Sequence, residues 1–321
     1  MSTTFPLNVR ESAAVDEHYQ TARRSVPGRS KTGVDIIDEL KSFRPSVAGT
    51  AGASKEFGDG SVAGLVRVQR EDVVLTIVID REERRNALNE AVARQISAGL
   101  DAAEADRSVR AVVLTGAGDK AFCAGGDLQP AADGAPFTID AADPRHYVAQ
   151  LLRRMDSCRL PLIARVNGHA LAGGFGLMCA CDLVVAREDA LLGVPEVKVG
   201  LFPMMILPYL LRVVPYRAMM DMCLTGEPIA AADAVHDRIV NYAVPGAELD
   251  AKTSWLLERI TTKSPTGIRL GKQALSKIRE MATDSALEYA QFMLANMART
   301  KDAREGFAAF NERRAPGWTG E

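Results

Sequence analysis

The chain has 321 residues, 47% apolar and 25% charged, with 39 Lys and Arg against 41 Asp and Glu. That length suffices for one large globular domain or two modest ones. A net charge of −2 offers no basic field for nucleic acid or an anionic membrane, and no apolar run nears the ~20 residues of a membrane span.

Residues 1–60 differ from the rest: they are rich in Ser, Thr, Gly, Pro and charge, with little apolar periodicity. Residues 1–10 lack the apolar centre of a secretory leader, and Glu11, Asp16 and Glu17 count against an organellar presequence. Residues 34–43 set apolar side chains at helical spacing, and 49–60 read as a Gly/Ala/Ser linker. We expect a partly disordered extension over 1–60, a core domain over 61–255 and a helical region over 256–321.

The core begins near Leu65. A β-rich run covers 73–80, and 86–105 is helical in period, with Leu88, Val92, Ile96 and Leu100 four apart. Residues 111–115 form a short apolar strand that Gly116 and Gly118 stop. A helix over 147–158, a strand over 162–166, a buried helix over 174–181 and a strand over 183–186 follow. Strand and helix alternate, which predicts an α/β fold with a mainly parallel sheet. From Tyr209 onward the chain reads as mostly helical, and no internal repeat is visible. Five cysteines at irregular spacing, an odd count, suit reduced thiols in a cytoplasm better than a disulfide framework. Cys179 and Cys181 read as small core residues, because no second Cys/His pair stands at zinc spacing.

Two glycine-rich loops stand out. One is Ala121-Phe122-Cys123-Ala124-Gly125-Gly126-Asp127; the other is Asn167-Gly168-His169-Ala170-Leu171-Ala172-Gly173-Gly174, leading straight into an apolar helix. Glycine lets backbone approach a ligand closely, and a helix start offers free N–H donors. Two such donors on one oxygen would stabilise an enolate formed from a thioester. The plainer reading is that the glycines only permit turns and tight packing. There is no dinucleotide fingerprint, Walker A loop or G-x-S-x-G elbow.

These loops, with Asn86-Ala87-Leu88-Asn89, the run from Cys181 to Ala186, the run from Pro195 to Leu201, the run from Leu224 to Ile229 and the run from Glu305 to Arg314, resemble the enoyl-CoA hydratase/isomerase (crotonase) family. The resemblance runs from about Leu65 to Trp318. It implies a ClpP/crotonase-like fold of repeated ββα units, with a helical C-terminal region that builds a homotrimer or a dimer of trimers. It implies an acyl-CoA substrate, with coenzyme A as part of that substrate and neither a separate cofactor nor a metal. Carried over, the oxyanion donors are the backbone N–H groups of Gly126 and Gly173. Contacts to CoA or acyl chain fall to Asn86, Ala87, Leu88, Phe122, Cys123, Ala124 and Asp127. Phe310 and Arg313 resemble positions that reach a neighbour's CoA; a solvated surface helix is the plainer reading.

The family's hydratases usually carry two glutamates. The second resembles Glu196, while Gly176 stands where the first would be. Hydration needs a proton at one carbon and an activated water at the other, whereas moving a double bond needs one shuttling base. Glu196 in an apolar pocket would have the raised pKa that suits a shuttle; a salt bridge to Lys198 or an arginine is the structural alternative. The leading expectation is therefore an enoyl-CoA isomerase with Glu196 as its single acid/base. The runner-up is a hydratase using Glu196 with a helper such as His146, Asp133 or Asp127. A binding protein without catalysis is the alternative of another class. His169 is expected to orient its loop. The apolar run 201–208, with Met204, reads either as a deformable acyl wall or as core packing.

Overall fold

The computed structural model describes residues 64–127 and 146–321; the extension over 1–60 and Asp133 lie outside the described residues.

β1 (Val66–Glu71) and β2 (Val74–Ile79) form an antiparallel hairpin across a two-residue turn in which Asp72 takes φ +50°. β1 is an edge strand, mostly exposed and dotted with Arg67, Arg70 and Glu71. α1 (Glu90–Ala105) follows, buried along Val92, Ala93, Ile96, Gly99, Leu100 and Ala103. It starts four residues later than the periodicity from Asn86 predicts. Asn86 is left-handed at φ +56°, which no helix interior allows, and Asn89 caps the true start by accepting the Val92 N–H at 2.9 Å.

β3 (Ala111–Gly116) and β4 (Ala121–Cys123) come next, then α2 (Tyr147–Ser157), β5 (Leu162–Val166), β6 (His169–Leu171), α3 (Gly173–Cys179), β7 (Leu183–Arg187) and β8 (Leu191–Gly193). A short 3-10 turn over Pro195–Val199 leads to α4 (Leu207–Val213) and α5 (Tyr216–Thr225). β9 (Ile229–Ala230), α6 (Ala231–Ala234) and β10 (Tyr242–Val244) close the strand-bearing part.

Among the described residues the strands fall into two sheets. The larger runs β1-β2-β3-β5-β7-β10 and is parallel apart from β1; the smaller runs β4-β6-β8-β9, parallel apart from β9. Each of β3, β5 and β7 is followed at once by a three-residue strand in the small sheet. This is a ββα repeat, and the fold is the crotonase fold. The repeat escapes the sequence because three residues are too few to show periodicity.

The large sheet is covered on both faces. Val112, Leu114, Leu162, Ala164 and Val184 pack into the main core with α1 and α2. The alternating residues Ala111, Ile163 and Val185 meet Leu249 and Leu256 of α7 (Leu249–Thr261) on the other face. The expected boundary at 255/256 thus falls inside a helix that belongs to the sheet. Beyond it run α8 (Pro265–Ile278), α9 (Thr283–Ala298) and α10 (Lys301–Glu312). Buried Asp302 holds α8 and the tail together: it accepts from Ser264 Oγ at 2.9 Å and from the amides of Thr319 at 2.8 Å and Gly320 at 3.0 Å. No helix among the described residues is long and apolar enough to cross a membrane.

Candidate active site

Two buried asparagines shape the first loop. Asn86 donates to the carbonyls of Ala117 at 2.9 Å and Ala121 at 2.7 Å and accepts the Arg81 N–H at 3.0 Å. Asn167 accepts from the Gly116 amide at 3.0 Å and donates to the Gly118 carbonyl at 2.8 Å. Between them they fix the turn from β3 into β4. Beyond β4 the loop is zipped to the segment before α1. The Leu88 amide donates to the Gly125 carbonyl and the Asp127 amide to the Leu88 carbonyl, both at 2.7 Å. That register uses the residues on either side of Gly126, so the Gly126 N–H points away from Leu88. Arg81, itself buried, donates to the Ala87 carbonyl at 2.6 Å and to Asp127 Oδ2 at 2.8 Å.

The second loop is wedged against the first. His169 Nδ1 accepts the Leu191 amide at 3.0 Å, tying β6 to β8, and burial pushes the imidazole pKa down. Ala172 takes φ +50° and ψ −125°, a region that favours glycine, and its amide is held by the Gly193 carbonyl at 2.9 Å. This strained corner turns the chain into α3, whose first amide is that of Gly173. At Gly174 a side chain is impossible, since a Cβ there would lie 2.7 Å from the Cys123 carbonyl carbon. Gly173 differs: its nearest neighbours would be Leu88 at 3.4 Å and the Gly126 nitrogen at 3.7 Å. A Cβ on Gly173 would thus fit in ordinary contact beside the Gly126 nitrogen. Neither amide has a hydrogen-bond partner among the described residues.

Glu196 lies in the 3-10 turn that follows β8, three residues after the Gly193 carbonyl that holds Ala172. α5 packs behind this turn. Glu196 Oε2 is buried and has no hydrogen-bond partner among the described residues. Burial pushes the carboxyl up from its ordinary 4.5 to about 7, against a smaller opposing pull from its own backbone amide. The expected alternative of a bridge to Lys198 does not hold, because Lys198 pairs with Glu227 at 2.7 Å.

The enoyl-CoA hydratase/isomerase family profile matches residues 69–321. The chain belongs to that family. It is 37% identical over 254 residues to a Thermus thermophilus protein assigned as an enoyl-CoA hydratase, spanning 78% of this chain and 99% of the relative. It is 34% identical to the 2,3-dehydroadipyl-CoA hydratase of Escherichia coli over 79% of this chain and 98% of that one. The crystal structure of enoyl-CoA hydratase from Mycobacterium tuberculosis superposes with a TM-score of 0.73 at 34% identity, covering 81% of this chain and all of that one.

Within this family member the remaining candidates divide. Asn86, Leu88, Phe122 and Cys123 have no exposed surface, and burial raises the Cys123 thiol to about 12. Their side chains are enclosed within the fold. Ala87 is also buried, while Ala124, Gly126 and Asp127 are partly accessible. The Asp127 carboxylate is engaged by Arg81, which counts against its use as a proton-transfer helper. His146 caps α2, accepting the Val148 amide at 3.3 Å, and burial pushes its pKa down. Met204 is exposed together with Leu201, Phe202 and Met205, whereas Pro203 and Ile206 are buried, so the run 201–208 is neither all wall nor all core. Phe310 stands exposed on α10, which packs on α8 and α9, and Arg313 is exposed just past its end.

Sequence reasoning missed Arg81 and Ile206. Arg81 gave no signal because its partners are one carbonyl and one distant carboxylate. Ile206 matters through Gly176: a Cβ built on Gly176 would lie 2.6 Å from the Ile206 Cβ. The space beside Gly176 is thus filled by an isoleucine thirty residues away.

Proposed function

We propose that this chain moves a proton on an acyl-CoA thioester, shifting a double bond, with Glu196 as its one acid/base. The Gly126 and Gly173 amides would bind the thioester oxygen. Base removal of a C2 proton from a 3-enoyl-CoA makes a dienolate, whose charge those donors stabilise; such a donor is worth ~10²–10³ in rate. The same carboxyl delivers a proton to C4, either the one it took or one exchanged with solvent, giving the 2-enoyl product with no net gain or loss of atoms. The reaction is redox-neutral and calls for no cofactor beyond the CoA of the substrate.

The observation that carries this reading is the state of Glu196. A carboxyl with a buried, unpartnered oxygen and a pKa near 7 takes up and releases a proton with similar ease at neutral pH. No second carboxylate stands at Gly176 to share the work. The exposed apolar side chains of α9 and α10, Leu287, Phe292, Leu294, Phe307 and Phe310, suit subunit contacts, which supports a trimer or a dimer of trimers as the working state.

Hydration is the second reading, favoured by the names of the relatives. The test is turnover of a 3-enoyl-CoA by the wild type and by Glu196→Gln. We expect isomerisation by the wild type and a loss of ~10²–10⁴ in kcat in the variant. Undiminished turnover by Glu196→Gln would sink the shuttle. Rapid hydration of crotonyl-CoA would favour the second reading, and binding of CoA esters without turnover would favour a non-catalytic role.

A further inference from the structure

Gly173 and Gly176 are three residues apart on α3, so they project from the same face of that helix, one turn apart. Gly173 borders the Gly126 amide; Gly176 borders Ile206. Ile206 is 2% exposed. Its backbone is fixed at the start of α4, with its N–H on the Pro203 carbonyl at 3.2 Å and its carbonyl accepting from Tyr209 at 2.9 Å and Leu210 at 3.1 Å. The isoleucine is therefore locked in place by its turn. A turn of helix is about 5 Å, so a thioester whose oxygen sits at Gly126 and Gly173 brings its first acyl carbons toward the Gly176–Ile206 contact.

We infer that Ile206 is a specificity-determining residue: its side chain fills the position from which a second acid or an ordered water would reach the C3 carbon of a bound enoyl thioester. This rests on the reading of Gly126, Gly173 and Glu196 given above. Addition of water places oxygen on C3 and a proton on C2, so it needs a water held on that side. A held water needs two to four polar partners, and neither the Ile206 side chain nor Gly176, which has no side chain, supplies any. Proton transfer from C2 to C4 needs no water and proceeds beside an apolar wall. Ile206 thus excludes one of the two reactions that a glycine at 176 alone would leave open.

The experiment measures both products from the same enzyme. Wild type, Ile206→Val, Ile206→Ala and the double variant Ile206→Gly with Gly176→Glu, which removes the Cβ that a side chain at 176 would meet, are incubated with a 3-enoyl-CoA and with crotonyl-CoA in oxygen-18 water. Isomer and labelled 3-hydroxyacyl-CoA are quantified, and thermal midpoints are recorded. We expect Ile206→Ala to raise the ratio of hydration to isomerisation at least tenfold, Ile206→Val to move it less in the same direction, and the double variant to raise it further. Should Ile206→Ala fail to fold, Ile206→Val carries the test. Isomerisation by the wild type with an unmoved ratio in folded variants overturns this inference alone. Rapid hydration by the wild type, with Ile206 in place, overturns both this inference and the isomerase reading, as does an absence of turnover in every protein.

Discussion

The glycine-loop side of the site and the Glu196 side are built in opposite ways. Around the glycine loops nearly every buried polar group is matched: Asn86 and Asn167 hold the β3–β4 turn, Arg81 meets Asp127, and Leu88 pairs across to Gly125 and Asp127. The Gly126 and Gly173 amides have no hydrogen-bond partner among the described residues. Around Glu196 the matching is withheld. One carboxyl oxygen is buried without a partner among the described residues, and apolar side chains of the following segment, 197–205, stand exposed. The hydrogen bonds of Asn86, Asn167, Arg81 and Leu88 hold the loop that carries the Gly126 donor still. A carboxyl denied partners keeps its proton exchangeable at neutral pH. The difference teaches that oxyanion stabilisation and proton transfer make contrary demands on the same fold: one needs rigidity, the other an unsatisfied group.

The contrast can be broken on the glycine side first. Gly173→Ala fits the protein, with no Cβ neighbour closer than 3.4 Å, but puts a methyl in the space beside the Gly126 amide. We expect kcat/KM to fall by ~10²–10³, with a thermal midpoint close to that of the wild type. A fully active Gly173→Ala would mean that this space holds no substrate oxygen. Gly174→Ala sharpens the point. Its Cβ would overlap the Cys123 carbonyl, so we expect a loss of about 3 kcal/mol or more in unfolding free energy, read by chemical denaturation. Adjacent glycines should thus separate function from folding.

On the other side, Glu196→Gln should stabilise the protein. The folded carboxyl has its pKa raised from 4.5 to about 7. Between those values the folded chain holds a proton that the unfolded chain has released, so stability falls as pH rises through that window, and the cost is complete above about pH 7. Removing the group should gain at most about 3 kcal/mol at pH 8 and almost nothing at pH 4. A pH-independent difference between the two proteins would contradict an unpartnered carboxyl.

The sequence spoke clearly where a single segment carries the signal. Four strands of the large sheet, β2, β3, β5 and β7, are apolar runs, and they appear where expected. The glycine loops were legible because close approach admits few residues other than glycine. What stayed hidden depends on pairs distant in sequence. Three-residue strands β4, β6 and β8 exist only through their neighbours. Asn86 reads as part of a helix or as a ligand contact until its left-handed backbone and its bonds to Ala117 and Ala121 are seen. Gly176 reads as a missing carboxylate; only the fold reveals that Ile206 takes up the space.

The most direct test of the account is proton exchange. A 3-enoyl-CoA in deuterium oxide, followed by NMR with the wild type, should give 2-enoyl product carrying deuterium at C4 and exchange at C2 of the remaining substrate, both suppressed by ~10²–10⁴ in Glu196→Gln. Exchange that persists undiminished in Glu196→Gln, or deuterium found chiefly at C2 of a 3-hydroxyacyl product, would contradict a single-carboxylate shuttle.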